Sequence, residues 1–207
     1  MTETFVWNPP ERYNFTRDTI GRHAAAHPDA LALLWVDSDG RETRLTFADL
    51  LARARRAGGI LRAAGVGRGD TVLVLLSREI AWWEIMLGCT AIGAIASPGT
   101  TQLTPKDIAY RRAAADARCV IACPEIARRV EEALGDDPIA RIHIGGPRAG
   151  WIDYGTADAP AIADFADTAF DEDALCYFTS GTTGMPKMTI HGAGYPLAHE
   201  ITGRYWL

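Results

Sequence analysis

Residues 71–76 read Thr-Val-Leu-Val-Leu-Leu, an apolar run too short for a helix and without the polar alternation of a strand that has one wet face. Such a run suits a strand covered on both sides, and that kind of strand belongs to a sheet layered between helices. The preceding residues supply one helix. Thr46 with Asp49 three positions later has the form of a capping box. Phe47, Leu50, Leu51, Ala54, Ala57, Leu61 and Ala64 share one face at helical spacing, with Arg53 and Arg56 assigned to the opposite, solvated side. Gly65 then ends the helix.

The alternation continues. The apolar run 80–96 contains Glu84 and falls short of the roughly 20 residues a membrane-spanning helix needs, so it reads as a core helix. Its Trp82, Trp83, Ile85, Met86 and Leu87 are assigned to packing, with a ligand-binding wall as the alternative. Residues 99–103 form a loop, after which Thr104 caps a helix that starts at Pro105 and runs to about residue 115. A strand at 118–122, a helix over Pro124–Leu134 and a strand at 141–144 follow. The expected fold is therefore α/β, a layered, largely parallel sheet with flanking helices. Ahead of it lie an extended arm (residues 1–12), a helix opened by residues 14–18 and closed by Pro28, and a hairpin of Leu31–Val36 with residues 41–45 around Ser38-Asp39-Gly40. Residues 145–173 show no lasting period and are expected to cross the surface with one short helix near 161–165.

A composition of 48% hydrophobic and 23% charged residues is that of a globular chain, and a net charge of −5 gives no electrostatic footprint for nucleic acid or an anionic membrane. Cys89, Cys119, Cys123 and Cys176 sit in apolar surroundings without zinc spacing, and read as buried thiols in a reducing compartment. The first residues, Met-Thr-Glu-Thr-Phe, carry no basic and apolar leader pattern, so the expectation is a cytoplasmic protein.

The chemistry concentrates at residues 177–187, Tyr-Phe-Thr-Ser-Gly-Thr-Thr-Gly-Met-Pro-Lys. An apolar strand at 174–178 gives way to hydroxyl residues and glycine, and residues 188–191 can return as a second strand, which makes the stretch a hairpin tip; a helix begins at residue 195. Gly181 and Gly184 permit backbone conformations closed to other residues and let bulky anionic oxygens approach the N–H groups. Thr179, Ser180, Thr182 and Thr183 add hydroxyls, and Lys187 adds a mobile positive charge. These groups suit a polyphosphate. The P-loop of the NTPases is excluded because Pro186 and Met188 flank the lysine, and a dinucleotide loop is excluded because Gly65-Val66-Gly67-Arg68-Gly69 follows a helix and precedes a strand. A plain glycine- and threonine-rich hairpin with a solvated Lys187 is the bland alternative.

The pattern T-S-G-T-T-G-x-P-K closely resembles the ATP-phosphate signature of the AMP-forming adenylating enzymes, with Cys176 where that family usually has an aliphatic or aromatic residue. Residues 13–18, 33–36, 98–104, 106–108, 110–111 and 178–191 further resemble the medium-chain acyl-CoA synthetase branch. The resemblance implies activation of a carboxylic acid by Mg2+ and ATP to an acyl-adenylate with pyrophosphate release, then thioester formation with coenzyme A. It assigns Thr179, Ser180, Gly181, Thr182, Thr183, Gly184 and Lys187 to the phosphates, with Lys187 as the catalytic residue. No residue is assigned as a metal ligand; Thr183 is only a weaker candidate for the ion's coordination sphere.

Members of that family are far longer, so the chain is expected to be an incomplete N-terminal domain of an adenylating enzyme, inactive alone and lacking the C-terminal catalytic domain. A sheet interrupted there would leave an unpaired edge and an exposed apolar face, through which self-association is expected. The partners implied are small molecules, namely the acid, ATP and coenzyme A. The other reading is a non-catalytic nucleotide-binding or interaction module derived from such an enzyme. His191 is assigned to a structural hydrogen bond at a strand end, and no role is assigned to His199.

Overall fold

The computed structural model describes residues 7–179 and 184–206. A π-wound turn at Thr16–Gly21 leads into α1 (Arg22–Ala26), and the hairpin β1 (Leu31–Val36) and β2 (Glu42–Thr46) stands apart as a two-stranded sheet. The main body is α2 (Phe47–Ala63), β3 (Thr71–Leu75), α3 (Ile80–Ile92), β4 (Ile95–Gly99), α4 (Pro105–Ala114), β5 (Cys119–Ala122), α5 (Pro124–Leu134), β6 (Ala140–His143) and β7 (Ile152–Asp153). β8 (Asp173–Thr179), β9 (Lys187–Gly192) and α6 (Tyr195–Trp206) complete it. Seven strands form one sheet in the order β7-β6-β5-β3-β4-β8-β9, parallel except for the β8–β9 pair.

All five residues of β3 are buried, as a strand covered on both faces requires. From β3 the chain moves through α3 to β4 on one side, then returns through α4 to β5 on the other. With right-handed crossovers, that reversal sends the loops leaving β3 and β4 to opposite faces and opens a crevice at their carboxyl ends.

Local chemistry fixes the helix ends. Thr46 and Asp49 exchange side-chain to backbone bonds at the start of α2, as Thr104 and Asp107 do before Pro105 in α4. Those bonds hold both carboxyls below the ordinary range for aspartate. Gly65 at φ 85° and Gly93 at φ 75° take left-handed conformations that turn the chain out of α2 and into β4. The strand β4 interrupts what the apolar run 80–96 suggested was continuous helix. Hydrophobicity does not fall between Ile92 and Ile95, and only Gly93 marks the break.

Helices α2 and α3 approach closely through Ala57, Gly58 and Gly88; a Cβ on Gly88 would lie 2.7 Å from the Ala57 Cβ. The carboxylate of Glu84, almost fully buried in α3, accepts from Arg53 at 2.7 Å and from the Tyr154 hydroxyl at 2.7 Å. Arg56 lies over the Tyr154 ring and donates to the Tyr154 carbonyl at 2.6 Å. Arg53 and Arg56 therefore do more than decorate the helix surface. Arg53, though partly exposed, neutralises a buried acid that would be strongly destabilising unpaired, and Arg56 clasps the connection after β7.

The helix expected near 161–165 is absent. That segment instead satisfies its polar backbone against other elements: Ile162 N–H donates to Arg55 O at 3.1 Å, and the Arg55 guanidinium donates to the carbonyls of Ile162 and Ala163. Gly59 has no room for a side chain because the Pro160 carbonyl would lie 2.1 Å from its Cβ.

Gly88→Ala is expected to lower unfolding free energy by about 1–3 kcal/mol, since the contact at Ala57 must open. Urea denaturation followed by tryptophan fluorescence measures it. An unchanged midpoint would show that α2 and α3 can separate without loss.

Candidate functional site

Strands β8 and β9 bring the two ends of the glycine- and threonine-rich stretch together. Thr179 and Lys187 are register partners, and the Thr179 hydroxyl donates to the Lys187 carbonyl at 3.3 Å. Because β8 runs parallel to β4, the turn joining the two strands emerges at the carboxyl end of the sheet, the side on which open α/β sheets hold ligands. Ser180, Gly181, Thr182 and Thr183 lie outside the described residues. Gly184 has φ 97°, a left-handed conformation with open space around its Cα. Lys187 is exposed, and its ammonium has no ion-pair partner among the described residues. An unneutralised lysine beside an unobstructed glycine backbone is chemically fitted to an anion.

The base of the hairpin is held from two sides. On one face, Phe178 meets Tyr110 edge-on at 6.0 Å between ring centroids and lies 4.6 Å from the Arg111 guanidinium carbon. Burial pushes the pKa of Arg111 down, and its Nε is buried without a hydrogen-bond partner. On the other face a ladder of rings runs Tyr177, His191, Tyr195, His199, with successive centroids 5.9, 4.2 and 4.6 Å apart. Among the described residues, His191 is held by ring contacts, a structural role at the strand end as expected but without a side-chain hydrogen bond there.

Tyr110 and Arg111 carried no assigned role in the sequence. The available signal was an aromatic next to an arginine on the otherwise small and polar helix α4, which packs on β8.

At the crevice beside β3 and β4, a cleft of ≈ 680 Å³ is walled by Leu33, Trp35, Trp82 and Trp83, with Ser77 and Thr100 at its polar side. Both α3 tryptophans line the cleft; Trp82 also packs against the core, whereas Trp83 is 45% exposed. Arg129 tethers the loop after β4 by donating to the carbonyls of Thr101 and Leu103. No cluster of three or more His, Cys, Asp or Glu able to hold a metal occurs among the described residues. Nor is any described helix long and apolar enough to cross a membrane.

A profile of the family described as AMP-binding enzyme matches residues 20–203. The chain belongs to that family. The acyl-coenzyme A synthetase ACSM4, mitochondrial, of Mus musculus is 34% identical over 210 residues, covering 96% of this chain and 36% of the relative. Among solved structures, the Brucella canis acyl-CoA synthetase superposes with TM-score 0.85 at 26% identity, over 97% of this chain and 37% of that one. The anthranilate CoA ligase AuaEII, in complex with anthranoyl-AMP, gives TM-score 0.83 at 26% identity, over 96% and 38%. The chain thus spans little more than a third of the length of the relatives it matches. The α/β fold expected from the sequence is that of the amino-terminal domain of adenylate-forming enzymes.

The cytoplasmic expectation is overturned, since the curated relatives are named as mitochondrial proteins. Free, buried thiols do not say which compartment holds a protein.

All four cysteines are free and buried. Desolvation raises the Cys89 thiol to about 12 and pushes Cys119 and Cys176 upward as well. With Ellman's reagent at pH 8, the folded protein should show no rapid thiol release and four equivalents after denaturation. A thiol that reacts at once in the native protein would locate an opening in the sheet.

Proposed function

We propose that this chain is the ATP-phosphate-binding part of an acyl-CoA synthetase, an AMP-forming acid–thiol ligase. The observation that carries the reading is the β8–β9 hairpin, which sets Thr179 opposite Lys187 around the T-S-G-T-T-G-x-P-K stretch at the carboxyl end of the sheet. A carboxylate becomes an acyl donor only when its oxygen is joined to a good leaving group, here AMP. Attack on the α-phosphorus of ATP requires the departing pyrophosphate to be held and its charge balanced. In this reading Thr179, Ser180, Gly181, Thr182, Thr183 and Gly184 present hydroxyl and backbone donors to the β- and γ-phosphates. Lys187 supplies the positive charge to the same oxygens. Mg2+ would come with the nucleotide and help balance the phosphate charge, with the Thr183 hydroxyl the weaker candidate in this chain to meet it. The coenzyme A thiol, the third substrate, then takes the acyl group from the adenylate, and AMP leaves with the bonding electrons of the broken acyl–oxygen bond.

The carboxylic acid is assigned as a medium-chain fatty acid from the branch resemblance. An aromatic acid is the second reading, favoured by the likeness to the anthranilate CoA ligase. We further propose that the 207-residue chain is the amino-terminal part of the adenylation domain and does not complete the reaction alone, in keeping with its coverage of 36% of the relative.

Two measurements test this. The chain should bind Mg-ATP, with Lys187→Ala weakening binding about tenfold or more through loss of charge-assisted contacts. It should show no acid-dependent exchange of labelled pyrophosphate into ATP. Exchange with one acid, lost in Lys187→Ala, would show that the chain is self-sufficient and would name the acid. Failure of the folded chain to bind Mg-ATP would overturn the reading, whereas ATP binding by a longer form that never responds to any acid would favour a nucleotide-binding module without catalysis.

The same reading extends to assembly. β9 lies at the end of the sheet, with Met188 and Ile190 exposed. Sedimentation velocity should show self-association that rises with concentration. A sharp monomer boundary at every concentration would remove that part of the proposal.

A further inference from the structure

Helix α4 grips both legs of the hairpin, each at the residue next to the phosphate stretch. On the C-terminal leg the Tyr110 hydroxyl donates to the Pro186 carbonyl at 2.8 Å, one residue before Lys187. On the N-terminal leg Phe178, one residue before Thr179, is packed between the Tyr110 ring and the Arg111 guanidinium. Since Thr179 and Lys187 are paired in register, whatever fixes Phe178 and Pro186 fixes the separation and tilt of the two ends of the loop. Proline suits this position because its φ is locked, so holding its carbonyl also orients the peptide that leads into Lys187.

We propose that Tyr110 is a positioning residue for the phosphate loop, its hydroxyl holding the Pro186–Lys187 leg in the place from which the lysine ammonium meets the nucleotide. The inference rests on the ATP reading above and deepens it. Chain that is ordered only when a ligand binds pays the conformational entropy of that ordering at that moment. A tether that orders one leg beforehand lowers that cost, and so appears in affinity. Tyr110 contacts the loop's frame and acts through Lys187.

Tyr110→Phe removes the hydroxyl and keeps the ring on Phe178, so the fold is expected to survive with an unchanged melting temperature. Three readouts in the full chain decide the matter. Without ligand, amide hydrogen exchange should quicken in Tyr110→Phe at residues 187–189 and nowhere in β3 or β5. Mg-ATP affinity should fall about three- to tenfold, the range of one lost hydrogen bond. In the Lys187→Ala background the same change should cost little further, because a residue acting through Lys187 has nothing left to position. Unchanged exchange at 187–189 would overturn the proposal whatever the affinity shows. An undiminished affinity loss in the Lys187→Ala background would overturn it too, by showing that Tyr110 acts independently. If the folded wild-type chain binds no Mg-ATP, the nucleotide reading fails and this proposal fails with it; if wild type binds and Tyr110→Phe binds equally well, this proposal alone fails.

Discussion

Val72, Leu73 and Val74 exclude water from both faces of β3, so every polar backbone group of that strand must find its partner in a neighbouring strand. β4 and β5 provide those partners in parallel register on either side. Parallel pairing in turn demands long crossovers, which places helices over both faces of the sheet. The close approach of α2 and α3, with Gly88 against Ala57, covers the central strands on one side. Once β3 is surrounded in this way, β8 joins beside β4, and its loop can leave only at the carboxyl edge.

Among the described residues, the buried carboxylate Glu84 is held in an arrangement that connects distant segments. Glu84 faces inward from α3 and is bound by Arg53 of α2 and Tyr154 beyond β7, while Arg56 covers the same tyrosine. Burial and the adjacent carboxylate together push the Tyr154 hydroxyl far up, so it stays a donor. The clasp joins three segments distant in sequence. The connection 154–172 runs on without a helix, and Asn14 bonds both Thr90 and Ala166 along it.

What the sequence revealed was local or periodic. The boxes at Thr46–Asp49 and Thr104–Asp107 involve residues three apart, and the buried run of β3 announces itself, so both are legible without a structure. The strand β4 was hidden because Ile92, Ala94 and Ile95 differ little in hydrophobicity, and the change from helix to strand depends on one glycine. Glu84 looked like an isolated defect in an apolar run because its partners lie 31 and 70 residues away. The stretch 161–165 resembled a helix only by elimination; its backbone is satisfied by Arg55, which no local pattern could show. In the site, the residues proposed to meet a phosphate were legible from their chemistry, whereas the side chains that hold the hairpin were not. Tyr110 and Pro186 are 76 residues apart.

That division follows from what a phosphate site requires. Donors to a polyphosphate must be small, flexible in backbone and close in sequence, because many N–H and hydroxyl groups have to converge on a few oxygens. Those same properties make the segment poor at holding itself in place. Rigidity must come from elsewhere, and here it comes from rings: Tyr110 and Phe178 on one face, and Tyr177, His191 and Tyr195 on the other. Aromatic side chains suit the task because they spread a large contact over few rotatable bonds. The hairpin is thus tied at Phe178 and at Pro186, and its two strands are joined where Thr179 bonds Lys187.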